Sequence, residues 1–244
     1  MNKFAVVGIS GLTISVVCLA AAAAIGGKAL SNLGWSGNGM GLGEGADCAR
    51  GGSDQATSRS MPWTGGDEIA IAIPAKVQYR AGSGDAVIVT GDAALLPHIR
   101  ISDSTLKLDC RWHGGHHALE VTLPGRTFRA FKIAGAGELT LASINQPDLK
   151  LEIEGAGEIK ADGKTDRLKL EMAGAGDAKL GELTAREVRV EMAGANEAVI
   201  APQDDLHVHI AGMGEVKLVT EPKHIESDIA GAGHIRHPND LDSD

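Results

Sequence analysis

Six times in the second half of the chain a glycine is followed two positions later by another glycine or by asparagine. The first glycines are Gly135, Gly155, Gly174, Gly194, Gly212 and Gly231, spaced 20, 19, 20, 18 and 19 residues apart. A period that short is not an independently folding domain. It is one coil of a stacked array, or one pair of strands within it.

Aligning the copies on that glycine gives columns. Two residues before it stand Ile133, Ile153, Met172, Met192, Ile210 and Ile229; four before stand Phe131, Leu151, Leu170, Val190, Val208 and Ser227. Six before are Arg129, Leu149, Leu168, Val188, Leu206 and Ile225, and four after are Leu139, Ile159, Ala178, Ala198, Val216 and Ile235. The intervening positions are mostly Lys, Glu, Arg and His. This period of two on both sides of the turn predicts two strands per repeat, each with one buried face. The paired glycines predict a backbone that bends through positive φ, with Asn196 replacing the second glycine because asparagine tolerates the left-handed region. The expected fold is all-β: a parallel β-helix or solenoid of short strands with a repeat of about 19 residues. An antiparallel meander or sandwich of the same strands is the rival. A slim aliphatic interior accounts for aromatics being only 3% of the chain.

Upstream, the pattern is less regular. The stretch EIAIAIPAKVQYRAGSGDAVIVTGD reads as two strands meeting at Gly82-Ser83-Gly84, and IRISDSTLKLDC and HALEVTLPG as further short strands. The nearest thing to a helix, around Asp92 to His98, is short and closes on a proline. Residues 30–65 are glycine-rich without apolar periodicity and read as a flexible linker. They match no phosphate-binding loop. At the N-terminus, Lys3 precedes an uncharged run of 24 residues from Phe4 to Gly27. Residues 1–29 fit a cleaved signal peptide or a retained membrane anchor. Cys18 follows Val17, which argues against lipidation there. Cleavage would remove Lys3 and Lys28 and take the net charge from −9 to −11. That balance, with no dense basic patch, argues against nucleic acid as a partner. Export leaves Cys48 and Cys110 as the mature cysteines, either joined in a disulfide or both unpaired. Neither sits among groups that would activate a nucleophile.

Three stretches together resemble the bacterial family described as putative auto-transporter adhesin, head GIN domain. They are YRAGSGDAVIVTGD at 79–92, VTLPGRTFRAFKIAGAGEL at 121–139, and the turns at 155, 174, 194, 212 and 231. The likeness covers roughly residues 66–236, leaving 237–244 as a disordered acidic tail. It implies a fold similar to right-handed parallel β-helices, a place in the cell envelope, and no catalytic residue.

The position after each turn is acidic: Glu138, Glu158, Asp177, Glu197 and Glu215, with Asp85 in the earlier copy and His234 ending the series. Stacked, these carboxylates form either a cation ladder or a solvated edge that discourages sideways association. One carboxylate per coil is too few oxygens for calcium, so the solvated edge is the expectation. His113, His116 and His117 in RWHGGHH, near Asp109, have the residue types of a transition-metal site but also of an ordinary polar turn. His207 and His209 alternate along one strand and face outward, onto a wet surface; His224, His234 and His237 belong to the last coil. No catalytic, cofactor-binding or metal-binding residue is assigned. The expectation is a non-enzymatic cell-envelope protein, an adhesin or structural scaffold, whose partner is an envelope or extracellular protein or a glycan. The alternative is a polysaccharide-binding or polysaccharide-active β-helix domain, since that architecture hosts such functions.

Overall fold

The computed structural model describes residues 47–48, 56–82, 84–112 and 118–239. These residues are all-β, with the strands β1 (Ala56–Pro62), β2 (Glu68–Ala72), β3 (Ala75–Arg80), β4 (Ala86–Asp92), β5 (Ile99–Ser102), β6 (Thr105–Leu108), β7 (Leu119–Thr122), β8 (Ala130–Leu218), β9 (His224–Gly231) and β10 (His234–Arg236). One 3-10 turn, Leu96–His98, occupies the short proline-closed stretch. The strands form a single open sheet that does not close on itself.

The 89-residue run β8 dominates. Straight, it would reach roughly 290 Å at about 3.3 Å per residue. Instead it bends where glycine permits, with φ of 113° at Gly135, 121° at Gly155, 119° at Gly174, 109° at Gly194 and 127° at Gly212. Each of these glycines after Gly135 lies against the previous one. A Cβ on Gly155 would overlap the carbonyl of Gly135, and the same relation links Gly174 to Gly155 and Gly194 to Gly174. β9 then pairs in parallel with the end of β8, from Asp205↔His224 to Gly212↔Gly231, an offset of 19 residues. β10 keeps that offset at His234↔Glu215.

The apolar columns fill the interior. Ile133, Ile153, Met172, Met192 and Ile210 are buried, as are Phe131, Leu151, Leu170, Val190 and Val208. The columns open at β9, where Ile225 and Ile229 are 37% and 36% exposed because, among the described residues, no strand covers β9 on its far side. At the other end Trp63, Tyr79, Phe128 and Phe131 meet in edge-on and tilted contacts 5.0 to 5.9 Å between centroids. Four of the five described aromatics are thus gathered near the start of β8.

The structure departs from the sequence expectation in four places. First, the second glycine of each turn does not take positive φ, and neither does Asn196. It is small because of its neighbours: a Cβ on Gly157 would lie 3.1 Å from Ile133 Cγ2, and one on Gly176 would lie 3.0 Å from the Gly157 carbonyl. Second, the Gly82–Gly84 turn is not an earlier copy of the stacked turn. β2 and β3 lie over β8 with Ile69↔Phe131, Ile71↔Ile133 and Val77↔Leu139 in register, so the cognate corner is Ile73–Pro74. Proline, lacking an N–H, breaks what the sequence suggests as one strand into two. Third, Asp85 is not in the acidic column, because Lys76 pairs with Glu138. Fourth, the stretch read as linker ends in a strand: β1 runs antiparallel to β4, which in turn runs antiparallel to β7. The polar face of β1 disguises it, since only Met61 is buried.

Cys48 and Cys110 form a disulfide with Cα atoms 5.0 Å apart. The Cys48 N–H donates to the Arg111 carbonyl at 2.9 Å, so the bridge is continuous with a backbone contact.

Candidate functional site

Parallel pairing of β9 and β10 with β8, and the contacts between successive corner glycines of β8, bring polar residues far apart in the chain together on two outer faces. On the face after the turn, the acidic column meets a neighbouring column that includes Lys160, Lys179 and Lys217. Glu158 receives Lys179 at 2.5 Å and Lys160 at 3.1 Å, and these ammonium groups hold its pKa below the usual carboxylate range. Lys217 sits 2.7 Å from Glu197 and 3.7 Å from Glu215, and its hydrogen bond to Glu197 raises its pKa. Glu215 also receives Arg236 at 2.7 Å, and Glu138 lies 3.9 Å from Lys76. His234, which ends the column, stands 3.6 Å from Glu215.

On the face before the turn, one column reads Lys132, Glu152, Glu171, Glu191, His209, Asp228 and its neighbour Ala130, Lys150, Lys169, Arg189, His207, Glu226. Ion pairs zigzag between the two columns. Lys132 bonds Glu152 at 2.8 Å, Lys150 bonds Glu152 at 3.1 Å and Glu171 at 2.6 Å, and Lys169 bonds Glu171 at 2.5 Å. Burial works to raise the Glu152 pKa, but hydrogen bonds from Lys132 and Lys150 outweigh it and bring it to about 2. Burial likewise opposes Lys150 and Lys169 at Glu171, and the two lysines win.

The histidines fall into separate places. His113, His116 and His117 lie outside the described residues. Asp109 binds His98 Nδ1 at 2.8 Å and Arg100 at 2.7 Å. His98, Asp109 and Cys110 come together as metal-ligating types, but the Cys110 sulfur is held in the disulfide. His237 contacts Glu221 at 3.1 Å. His207 and His209 do face outward, as their alternation predicts, and each ring meets a carboxylate of β9: Glu226 at 3.0 Å and Asp228 at 3.2 Å. Sequence inspection misses these pairs because the partners are 19 residues apart. The signal is present only in the register.

Shallow depressions lie along both the coil faces and the corners. One of about 340 Å³ is lined by residues that include Glu152, Glu171, Glu191 and Met172, and another of about 520 Å³ by residues that include Gln146, Lys164, Thr165 and Arg186. Thr165 is spent on structure, donating to the carbonyls of Pro147 or Arg167 at 3.2 and 3.3 Å. The family pattern of the putative auto-transporter adhesin, head GIN domain matches residues 67–222. The chain belongs to that family. The head GIN domain is similar in fold to a crystal structure of a putative adhesin from Bacteroides fragilis, at 16% identity and a TM-score of 0.61, covering 76% of this chain and 98% of that one. A putative lipid binding protein from Parabacteroides distasonis also aligns, at 19% identity and a TM-score of 0.45, over 76% of this chain and 98% of that one. A putative adhesin from Parabacteroides merdae aligns at 16% identity and a TM-score of 0.45, over 76% and 97%. No curated protein matches the sequence. The structure extends the head GIN match at both ends, with β1 before residue 67 and β9 and β10 after residue 222.

Proposed function

We propose that this head GIN protein is a non-enzymatic component of the cell envelope, an adhesin or structural scaffold built on a β-solenoid of about 19 residues per coil. Residues 1–29 export it as a signal peptide or hold it as an anchor, and the spacer that follows ends before Ala56, where β1 begins. Its partner is an extracellular or envelope protein or glycan. The observation that carries this reading is the use to which the carboxylates are put. In both faces they are shared between ammonium groups of adjacent coils, as at Glu152, Glu158 and Glu171. A hydrolytic pair needs one carboxyl group protonated near neutral pH, with its pKa raised. Here Glu152, Glu158 and Glu171 are all shifted the other way. Described aromatic side chains are buried or half-buried, which leaves little flat surface for stacking sugar rings. The family description supports the adhesive reading.

The test is a protein and glycan binding screen with the exported chain, followed by incubation with every polysaccharide that binds. Binding without release of shorter fragments is expected. Fragment release by the purified chain would replace the scaffold with a polysaccharide-active enzyme.

A further inference from the structure

The two columns before the turn follow a rule for three coils: a cation, then an alternate position with an anion, as in Lys150/Glu152, Lys169/Glu171 and Arg189/Glu191. The next coil breaks it with His207 and His209. Residues two apart on a strand project from the same face. Both rings use Nδ1 toward a carboxylate of β9, Glu226 and Asp228 respectively. Neither Nε2 atom has a hydrogen-bond partner among the described residues. When Nδ1–H donates to a carboxylate, the lone pair is left on Nε2. A carboxylate behind the ring in this way fixes the tautomer and raises the basicity of the ligating nitrogen, as is general for metal-bound histidines.

We propose that His207 and His209 form a surface site for one divalent transition-metal ion of the zinc class, bound through the two Nε2 atoms with water completing the shell. The site opens into a shallow depression of about 210 Å³ that Arg189 and Glu191 also line. Glu191, Glu226 and Asp228 set three negative charges against the one guanidinium of Arg189, so the neighbourhood attracts a dication. Lys169 lies 3.5 Å from Glu191 and offsets part of that charge. Glu191 precedes His209 in the same column and adds negative charge beside the pair. Imidazole nitrogen suits zinc, nickel and copper, whereas calcium prefers a full oxygen shell. This site is independent of the adhesive reading and would hold whatever the partner is.

The experiment is calorimetric titration of zinc chloride into the full chain at neutral pH. The parent is compared with His207→Ala/His209→Ala, Glu226→Gln/Asp228→Asn, and His113→Ala/His116→Ala/His117→Ala. The first variant should lose one equivalent of zinc. The second should keep that equivalent with affinity weakened about 10- to 100-fold, the usual effect of removing an outer-shell partner. The third should retain the equivalent. Far-UV spectra and melting temperatures check that all variants fold; the substituted side chains at 207, 209, 226 and 228 are 39%, 54%, 81% and 80% exposed. Unchanged stoichiometry and affinity in the first variant would overturn the site. So would loss of all binding in the third, or a parent that takes up no zinc at millimolar concentration.

Discussion

Gly155 and Gly157 are two residues apart and look interchangeable, yet different physics holds each in place. Gly155 needs positive φ, and its missing Cβ makes room for the Gly135 carbonyl. Gly157 has ordinary backbone and faces Ile133 Cγ2 at 3.1 Å, a contact that can give by a few tenths of an ångström. Gly155→Ala should therefore cost about 1–3 kcal/mol or more, since strain and overlap add. Gly157→Asn should cost less, because Asn196 shows that an amide fits the equivalent position. Urea midpoints for the two variants check the order; equal losses would mean that the left-handed corner is not where the constraint lies. Asn196 itself is buried, accepts the Gly176 N–H at 3.1 Å and donates to the Ala193 carbonyl at 3.1 Å. Asn196→Ala strands a buried donor and should destabilise by about 1–3 kcal/mol. A change below about 0.5 kcal/mol in the same assay would show that Gly176 finds another acceptor.

Between neighbouring strand segments, the ion-pair ladders make stability depend on pH with a definite sign. Glu152, Glu158 and Glu171 have folded pKa values below the ordinary value of 4.5, with Glu152 at about 2. Such groups stabilise the fold fully above the unfolded pKa, and that contribution disappears as pH falls through the folded pKa. Lys150, Lys169 and Lys217 have pKa values raised above 10.5, chiefly through carboxylate hydrogen bonds. Their contribution is complete below the unfolded value and is lost as pH rises past the folded one. The melting temperature should be flat through neutrality, fall between pH 4.5 and about 2, and fall again above about 10.5. Lys150→Met should shrink the acid-side fall, because Glu152 and Glu171 lose a shared partner. An unaltered acid limb would place the ladder's contribution elsewhere. The disulfide acts on a longer span. It links residues 62 positions apart and joins β1's approach to the end of the β5–β6 hairpin. Restricting the unfolded chain over that distance is worth about 4 kcal/mol in the chain-entropy account. The Cys48→Ser/Cys110→Ser pair should lose about 2–4 kcal/mol in chemical unfolding.

What the sequence made legible, and what it hid, divides along the distance over which residues meet. The columns at Ile133, Phe131 and Leu139 are readable because alternation is local to one strand, and their burial follows it down to Ile210 and Val208. The pairing of Lys150 with Glu171, or of His207 with Glu226, depends on a strand register between segments far apart in the chain and leaves no local trace. β1 is hidden for a related reason: it buries little, and its place is fixed by backbone bonds to β4. The same reasoning bears on where the domain ends. The family pattern stops at residue 222, but β9 pairs with β8 along eight residues and lies over Leu206, Val208 and Ile210, which are buried. β9's own apolar residues are exposed because, among the described residues, it is paired on one side only. A chain ending at residue 222 would shift that exposure inward, onto the β8 residues that β9 now covers. Each buried Val, Leu or Ile side chain contributes about 1.5–3 kcal/mol, so partial uncovering of three should cost several kcal/mol. The uncovered edge would carry His207 and His209 without Glu226 and Asp228, and such an edge is open to pairing with another chain. The truncated chain should unfold at lower urea and sediment in part as larger species, while the full chain stays at one mass. Equal midpoints and a single mass for both would put the last structural coil inside residue 222, with β9 and β10 as an appendage that the fold does not need.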